Sequence, residues 1–410
     1  MILAVGVFCL IGYIQCNNLG VGMKLSITDR GIHSIGELLG AGGYQARLMG
    51  GAVRDMVLGI EPKDMDLATD ALPETVMDLA EGVGYRVIPT GLQHGTVTIM
   101  HDDVGYEVTT LRRDVETDGR HATVEYVTSF EVDASRRDFT FNAMSASLDG
   151  QVHDYFGGLK DLSEGRVRFV GNARERIEED YLRILRFFRF RARFGGQEAS
   201  EDLEAIHQTA GGLAGISVER VWSEMSKILA HPNAADQLRM MSELDISSVI
   251  GLRYDEEMVP VAIDVQLHGA RPAVVLGVLS GDEGHVKDLV ERWKLSNAEQ
   301  QDAIAAARVV STNRYDDHYW MTEVVNGLDK TVAIPVLLAF RASEAALAIS
   351  GQIPTFPLMG RDLVGLVEKG PAMGAALKDA RQRWIDSKFK LTKDDLLENL
   401  SGKLTRGREL

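Results

Sequence analysis

Cysteine is almost absent from this chain: Cys9 and Cys16 are the only two in 410 residues. That scarcity excludes a disulfide framework and a cysteine-based zinc site. Basic residues are also in the minority, with 44 lysines and arginines against 60 acids and a net charge of −16. This balance disfavours a protein that coats nucleic acid non-specifically, although it is compatible with a local basic stripe. Hydrophobic residues make up 45% of the chain, which excludes a wholly disordered or fibrous protein.

The N-terminal residues 1–16 form a mostly apolar run that is shorter than the roughly 20 residues of a membrane-spanning helix. The run also lacks the basic start of a signal peptide. Three interpretations of residues 1–22 stay open: translation that starts at Met23, an interfacial or weak signal segment, and a packed strand or helix. We expect an N-terminal extension of uncertain role, no stable membrane association and a cytoplasmic location.

The remaining chain is long enough for two or three domains of roughly 150 residues each. Residues 23–160 interleave helical and strand patterns, which predicts a catalytic head domain built on a mixed sheet. After about residue 165 the strand signals fade, and helical periodicity predicts helices over 178–194, 217–230, 256–280, 297–309, 333–350 and 374–387. The sequence therefore predicts an α+β head followed by an all-α region.

The segment 48–70 carries two features that suit phosphate and metal chemistry. Gly50 and Gly51 follow a predicted strand and lead into a helix, so backbone N–H groups can approach a phosphate without a Cβ in the way. Arg54 lies one turn further on and could hold the same anion. Asp64 and Asp66 are separated by one residue at a predicted strand, so their side chains should point to the same face of the sheet. Two carboxylates side by side favour Mg²⁺.

Two further segments concentrate charge. In the first, Arg136, Arg137 and Asp138 precede an alternating apolar stretch, and Asn142 follows four residues later. Such a cluster in isolation is most often a salt-bridged surface. Residues 154–158, further along the chain, are predicted to form a turn that acts as a hinge between the sheet and the helices that follow.

In the second segment, Asp180, Arg183, Arg186 and Arg189 recur every three residues along one predicted helix. Arginines in so apolar a helix need partners, and acids at 175, 178 and 179 could pair with them in a purely structural helix. From residue 166 to 193 there are nine arginines against four acids. This reversal of the chain's overall charge is what an acidic enzyme that handles RNA needs.

These segments together resemble one family, the class II tRNA nucleotidyltransferases or CCA-adding enzymes. The resemblance rests on six motifs that occur in order over residues 47–230: GGAVRD, DMD, RRDFTFNAM, DYFGGLKDL, EDYLRILRFFRF and SVERVWSE. It implies a polymerase-β-like nucleotidyltransferase head at 23–160, a helical neck at 161–250 that binds the base and RNA, and a helical body and tail at 251–410 that bind tRNA. Tyr181 departs from the family pattern, which often has proline there.

The resemblance also implies a role for each motif residue. Asp64 and Asp66 bind catalytic Mg²⁺, and nucleotide contacts come from the GGAVRD and RRD motifs, that is from Gly50, Gly51, Arg54, Arg137 and Asp138. In the long helix, Asp180 and Arg183 recognise the base, and Arg186 and Arg189 continue the contacts. The expected substrates are CTP, ATP and the tRNA 3′ end, with no obligate protein partner.

Hydrogen-bond polarity explains how such a pair selects bases. Cytosine N4 and adenine N6 donate to a carboxylate such as that of Asp180, whereas cytosine N3 and adenine N1 accept from Arg183. Uracil and guanine present the reverse polarity, so binding either base would leave these charged groups mispaired, at a cost of a few kcal/mol. Glu107 is our candidate for a third carboxylate at the metal site. The polar segment 114–123 is predicted to be a mobile loop that switches the pocket from C to A.

Three alternatives stay open. A poly(A) polymerase and a partial enzyme that adds only CC or only A belong to the same superfamily. A non-catalytic RNA-binding protein is the alternative from a different class, and the paired aspartates argue against it. A dinucleotide-dependent oxidoreductase is disfavoured because the glycines at 40–43 lack the third spaced glycine of that motif.

Overall fold

The computed structural model describes residues 23–117, 122–195, 199–312, 317–325, 329–340, 350 and 355–406. The predicted extension at residues 1–22 lies outside them. Contacts divide the chain into two compact units, and the division falls between Leu252 and Arg253.

The head is built on a mixed sheet. In the described part of the chain its strands are β1 (Ala46–Met49), β2 (Leu67–Thr69), β3 (Arg86–Gly91), β4 (Thr96–His101), β5 (Val104–Thr110), β8 (Ser145–Ser147) and β9 (Val152–His153). They follow the order β3-β4-β5-β2-β1-β8-β9. Only β2 and β5 run parallel, with Leu67 opposite Val108, and the other described neighbours are antiparallel. The predicted α+β head with a mixed sheet is confirmed.

The helices of the first unit follow the predicted shift from mixed to helical structure. In chain order they are α1 (Arg30–Ala41), α2 (Gly51–Val57), α3 (Pro73–Gly82), α4 (Phe130–Ser135), α5 (Gly158–Ser163), α6 (Ala173–Glu179), α7 (Leu182–Phe194), α8 (Ser200–Thr209), α9 (Val218–Leu229), α10 (Ala234–Glu243) and α11 (Ile246–Ile250). Pro73 lies in the first turn of α3, where its missing N–H and fixed φ cost nothing.

An aromatic cluster packs α7 against the head. Phe139 and Phe141, from the alternating segment after the arginine pair, are fully buried. The Phe139 ring lies 4.9 Å from Phe169 and 5.4 Å from Phe190, and Phe141 lies 5.1 Å from Phe190. Because α7 buries its phenylalanines here, its arginines lie on the less buried faces of the helix.

The single helix predicted over 178–194 is wrong at its start. Helix α6 ends at Glu179, Asp180 has an extended backbone with φ −155° and ψ 101°, and α7 begins at Leu182. The Asp180 carboxylate accepts the Leu182 N–H at 3.2 Å, so it satisfies a donor in the first turn of α7. A capping aspartate thus interrupts a periodicity that continues across the break.

The predicted mobile loop at 114–123 is largely a hairpin. Strands β6 (Arg112–Thr117) and β7 (Ala122–Tyr126) pair antiparallel, with a register shift between Asp114 and Glu116. The tip at residues 118–121 lies outside the described residues. The prediction was wrong for the paired part because polar composition hid a strand pattern rich in β-branched residues.

The second unit is helical in its described residues, as predicted. Its helices are α12 (Val259–Leu267), α13 (Pro272–Ser280), α14 (Glu283–Arg292), α15 (Asn297–Thr312), α16 (Asp317–Val325), α17 (Lys330–Ala339), α18 (Pro371–Asp386) and α19 (Lys393–Arg406). The single helix predicted over 256–280 is wrong, because the chain turns after Leu267 and restarts at Pro272, which cannot continue a helix. The helix predicted over 333–350 ends at Ala339, and residues 341–349 lie outside the described part.

Candidate functional site

A cationic cavity of about 450 Å³ lies in the first unit. Its lining comes from the Gly50–Gly51 turn, the segment after α4, helix α7 and the end of α9. The lining residues are Gly50, Gly51, Arg54, Arg137, Asp138, Asn142, Arg186, Arg189, Phe190, Arg193, Lys227 and His231. Five arginines and a lysine against one aspartate make this a site for an anion.

The glycine turn lets the backbone approach the cavity closely. Strand β1 ends at Met49, and Gly50 has φ +64°, a conformation that side chains with a Cβ rarely adopt. A Cβ on Gly50 would also lie 2.9 Å from a guanidinium nitrogen of Arg137. The sequence prediction of a strand, a glycine turn and a short helix is therefore correct, and the turn faces the cavity.

Arg54 is buried and held on two sides. Its Nε donates to Asp55 Oδ1 at 3.0 Å, and its Nη1 donates to Asn142 Oδ1 at 2.7 Å. Asn142 Nδ2 donates in turn to Asp138 Oδ1 at 3.0 Å. The other oxygen of Asp138 accepts from Arg186 Nε at 2.8 Å. A continuous chain of hydrogen bonds therefore joins helix α2 to helix α7.

The charges in this chain stabilise one another. Burial acts to raise the pKa of the Asp138 carboxyl, but Arg186, Asn142 and a backbone N–H hold that pKa below its usual range. Burial likewise acts to lower the pKa of Arg186. The negative charge of Asp138 outweighs this effect of burial, so the pKa of Arg186 is raised. Burial lowers the pKa of Arg189 to about 10, against the opposing effect of Glu224. All three lining groups are therefore charged at neutral pH.

Arg137 is positioned by a different carboxylate. Asp133, in α4, is 3% exposed and accepts from Arg137 Nη2 at 3.0 Å through one oxygen. Its other oxygen accepts from Arg136 Nε at 3.0 Å and from the Arg112 N–H at 3.2 Å. The Arg-Arg-Asp motif thus splits: Arg137 and Asp138 line the cavity, whereas Arg136 braces the base of the hairpin.

An acidic group lies close to the cavity. Asp64 and Asp66 precede strand β2, which begins at Leu67, so the prediction that the pleat of one strand aligns them is wrong. Glu107 lies in β5, beside β2 in the parallel pair. Burial, then the negative charges of Glu107 and Asp64, raise the pKa of Asp66, and Arg137 opposes them. Asp66 therefore lies near enough to Glu107 and to Asp64 to be repelled by both.

This donor set fits a hard divalent cation. Carboxylate oxygens are the ligands that Mg²⁺ prefers, and a cation would relieve the repulsion that raises the pKa of Asp66. Among the described residues, no three carboxylate, imidazole or thiol groups already stand in metal-binding geometry. The chemistry of the donors, rather than a formed cage, carries the assignment.

Asp180 and Arg183 are not part of the cavity lining. Asp180 Oδ2 accepts from Arg220 Nη2 at 2.7 Å. Arg183 Nη1 donates to Glu179 at 2.7 Å, and its Nη2 donates to the Arg136 carbonyl at 3.1 Å. The structure thus brings Arg186 and Arg189 to the cavity and holds the two predicted base-selecting residues in ion pairs.

Five lining residues have no role predicted from the sequence: Asn142, Phe190, Arg193, Lys227 and His231. Arg193 could have been found, because it lies four residues beyond Arg189 and so on the same face of the helix. The Arg189 guanidinium lies 4.4 Å from the centre of the Phe190 ring, which is a cation–π contact. The many arginines and phenylalanines of this segment could have suggested such a contact. Lys227 and His231 carry no local signal, since the fold alone brings the end of α9 to this cavity.

Comparison with known proteins places the chain in a family. A model described as "Poly A polymerase head domain" matches residues 46–168, and one described as "Probable RNA and SrmB-binding site of polymerase A" matches residues 199–251. The mitochondrial CCA tRNA nucleotidyltransferase 1 of Danio rerio is 38% identical over 394 residues, which cover 92% of this chain and 91% of that protein. The chain belongs to the CCA tRNA nucleotidyltransferase family. The Homo sapiens counterpart is 37% identical over 391 residues, 91% of this chain and 90% of that protein.

The solved structures agree with this family. The Bacillus stearothermophilus CCA-adding enzyme in complex with CTP is 30% identical, with a TM-score of 0.74 over 92% of this chain and 97% of that chain. The resemblance inferred from six motifs is thereby confirmed, as is the prediction of a tRNA nucleotidyltransferase with a polymerase head.

Proposed function

We propose that this member of the CCA tRNA nucleotidyltransferase family adds C, C and A in turn to the 3′ end of tRNA, using CTP and ATP and releasing pyrophosphate. Relatives that match over about nine-tenths of both chains carry the CCA-adding activity in their names. The single structural observation that carries the proposal is the cationic cavity of the first unit, whose Arg137 lies near the carboxylate of Asp66.

The cavity residues bind and orient the nucleotide in this proposal. Gly50, Gly51 and Arg54 face its phosphates, because only glycine leaves the backbone open there and Arg54 supplies a fixed cation. The remaining lining residues that we assign to nucleotide binding are Arg137, Asp138, Arg186 and Arg189. No template strand is needed if protein groups then read the base edge.

Asp64 and Asp66 would hold Mg²⁺, with Glu107 as the third carboxylate. Held there, Mg²⁺ would supply Lewis-acid activation of the RNA 3′-hydroxyl and charge stabilisation of the leaving pyrophosphate. The arginines of the cavity add positive charge for the same leaving group, and their burial strengthens that effect.

Asp180 and Arg183 would select the base through the hydrogen-bond polarity described above. Their present partners, Arg220 and Glu179, occupy the groups that a base requires. Base selection therefore needs these ion pairs to exchange for the base edge. The Arg220 and Asp180 side chains are 42% and 26% exposed, which keeps the cost of that exchange low, whereas Arg183 and Glu179 are 14% and 22% exposed and their pair costs more to open.

The metal assignment is tested with Asp64→Ala and Asp66→Ala. We expect each variant to lose incorporation of both CTP and ATP by at least about a thousandfold while it still binds tRNA, because the lost carboxylates act on the reaction and not on the RNA. Asp78→Ala, an exposed aspartate of α3, is the matched control and should keep full activity. Substantial residual activity in either variant would contradict the assignment.

The products also separate the alternatives. After incubation of the enzyme with CTP, ATP and a tRNA that lacks its 3′ end, gels of single-nucleotide resolution should show addition of three nucleotides, ending in A. A product of two residues, of A alone or of a long A tract would instead identify a CC-adding, A-adding or poly(A)-adding enzyme. Binding of tRNA without any addition would identify a non-catalytic RNA-binding protein.

We further propose that residues 161–250 bind the base and RNA and that residues 251–410 bind the body of the tRNA. The model for an RNA-binding site of polymerase A, matched over residues 199–251, supports the first assignment. Deleting residues 253–410, at the division between the two units, should therefore weaken tRNA binding far more than CTP binding. Unchanged affinity for tRNA would contradict this assignment.

A cytoplasmic location is part of the proposal. The relatives from Danio rerio and Homo sapiens are named mitochondrial enzymes, so the organelle is the alternative. No helix among the described residues is long and apolar enough to cross a bilayer. Fluorescent fusions of the full chain and of a chain that starts at Met23 distinguish the two: mitochondrial signal from the full chain would contradict the cytoplasmic proposal.

A further inference from the structure

Asn142 is the central link in the hydrogen-bond chain across the cavity. Its carbonyl oxygen accepts from Arg54 at 2.7 Å, and its amide nitrogen donates to Asp138 at 3.0 Å. We propose that Asn142 is a positioning residue for the nucleotide: it fixes the Arg54 guanidinium and the Asp138 carboxylate together, and so aims Arg54 at the phosphates. This inference rests on the proposed function of the cavity.

The backbone around Asn142 is anchored on both sides. A short 3₁₀ turn, Thr140–Asn142, carries the residue, and the Asn142 N–H donates to the Phe139 carbonyl at 2.9 Å. Phe139 and Phe141 are fully buried in the aromatic cluster. Because this backbone cannot shift without disturbing that cluster, the amide presents its two ends in a fixed direction.

An amide suits this position better than a carboxylate. Asn142 must accept from a cation and donate to an anion, and a neutral amide does both. An aspartate would lose the donor, place a second negative charge beside Asp138 and neutralise Arg54. Since Asp138 is already paired with Arg186, and Asp55 with both Arg54 and Arg193, a neutral residue at 142 preserves the positive charge that an anionic ligand needs.

The geometry separates this role from simple packing. Asn142 is 7% exposed and Arg54 is 8% exposed, and both line the cavity. If Asn142 only filled space, substitutions there would affect folding. A variant that keeps the side-chain shape and adds a charge would then harm nucleotide binding less than one that removes the side chain. A positioning residue predicts instead that Asn142→Asp, which keeps the shape, harms nucleotide binding more than Asn142→Ala does.

The kinetic test compares these two variants. We expect Asn142→Asp to raise the KM for both CTP and ATP by at least tenfold and to weaken inhibition by pyrophosphate to a similar extent, with kcat changed less than threefold. Asn142→Ala should raise KM by about three- to fivefold. Asn172→Asp is the matched control, because Asn172 caps α6 through the Glu175 N–H, which aspartate can do equally well. Its KM should stay within twofold of the wild type.

A double-mutant cycle shows whether Asn142 acts through Arg54. In an Arg54→Ala background, adding Asn142→Ala should change KM less than twofold, since the group that it positions is gone. Full additivity of the two effects would overturn the proposal, and so would an Asn142→Asp enzyme with wild-type KM. If Asn142→Asp does not fold, as judged by thermal unfolding, the alanine cycle decides alone. A wild-type chain that adds no nucleotide to tRNA would overturn the proposed function instead.

Discussion

The two ends of helix α7 carry the same spacing of arginines and meet different partners. Towards its C-terminus, Arg186 and Arg189 line the cavity and pair with buried acids, Asp138 from the head and Glu224 from α9. At its N-terminus, Arg183 turns back to Glu179 of the preceding helix. A repeat in sequence thus serves two surfaces, because different elements supply the acids at each end.

The difference concerns how freely each end can change its partners. Asp138 is 7% exposed and accepts from Asn142 and the Phe139 N–H as well as from Arg186, so breaking its ion pair strands a buried charge. The Asp180 and Arg220 side chains are 26% and 42% exposed, and solvent can replace either partner. The Asp138–Arg186 pair at the cavity end is therefore held in place, whereas the Asp180–Arg220 pair near the other end can exchange for a base. Arg183 and Glu179, at 14% and 22% exposed, exchange less easily.

The largest expected effect separates Arg186→Ala from Arg183→Ala, the same change on the same helix. Arg186→Ala should lower the free energy of unfolding by about 3–5 kcal/mol, because it leaves the buried Asp138 carboxylate unpaired. It should also lower activity by about a hundredfold, since the cavity loses a cation. Urea unfolding and initial rates with CTP measure both effects.

Arg183→Ala should cost only about 1–2 kcal/mol, because Glu179 keeps Arg176 as a partner. Use of CTP and ATP should fall together, since the change deletes the donor that both bases share. Equal losses of stability in the two variants would show that the two ends of α7 do not differ in the way described.

A smaller effect is expected from Asp180→Asn. Asparagine keeps the acceptor for the Leu182 N–H and removes the negative charge that repels a carbonyl of uracil or guanine. Incorporation of UTP relative to CTP should therefore rise by about tenfold, with a change in stability below about 1 kcal/mol because the pair with Arg220 is half-exposed. Initial rates with all four nucleotides, beside thermal unfolding, measure this.

Arg220→Ala is the control for Asp180→Asn, because it removes the same ion pair and leaves the carboxylate. Its selectivity should match that of the wild type. Unchanged selection of C and A by a folded Asp180→Asn enzyme would contradict base selection by this side chain.

The sequence predicted the head well because its signals are local. The strand before Gly50 and the short helix after it follow from periodicity and turn chemistry. The alternating residues 96–100 and 106–110 likewise predict strands, which the structure extends to Thr96–His101 and Val104–Thr110. The helix break at Asp180 was missed because apolar periodicity continues through it, and only the capping bond of that aspartate reveals the interruption. Local patterns therefore place elements more reliably than their ends.

Lining residues of the cavity could be predicted only where a sequence motif implied a role for the residue. The motifs implied roles for Gly50, Arg54 and Asp138, whereas Asn142, which lies in the motif RRDFTFNAM, was noticed without a role and Lys227 was not noticed. Which arginine of α7 faces the cavity depends on the packing of Phe190 against Phe141, a contact between segments far apart in sequence. Side-chain direction of this kind is a tertiary property that periodicity alone does not give.

The smallest expected effect is that of Glu179→Gln, which tests whether the ion pair at the N-terminal end of α7 competes with base recognition. Glu179 holds both Arg176 and Arg183, and the neutral variant weakens its hold on the latter. Because Arg183 then reaches a base without first losing an ion pair, the KM for CTP and for ATP should fall by about two- to threefold alike. The Arg183 and Glu179 side chains are only 14% and 22% exposed, but glutamine keeps an acceptor for Arg183, so stability should fall by only about 1 kcal/mol.

Glu178→Gln is the matched control, since Glu178 pairs only with Arg174 at 3.9 Å among its described ion pairs, on the exposed side of α6. Its KM values should equal those of the wild type. A rise in KM for Glu179→Gln would reverse the interpretation: Glu179 would then hold Arg183 in the orientation that the base requires, and the N-terminal end of α7 would be as preorganised as the cavity end. Steady-state kinetics with each nucleotide at fixed salt distinguish the two, because competition and positioning move KM in opposite directions.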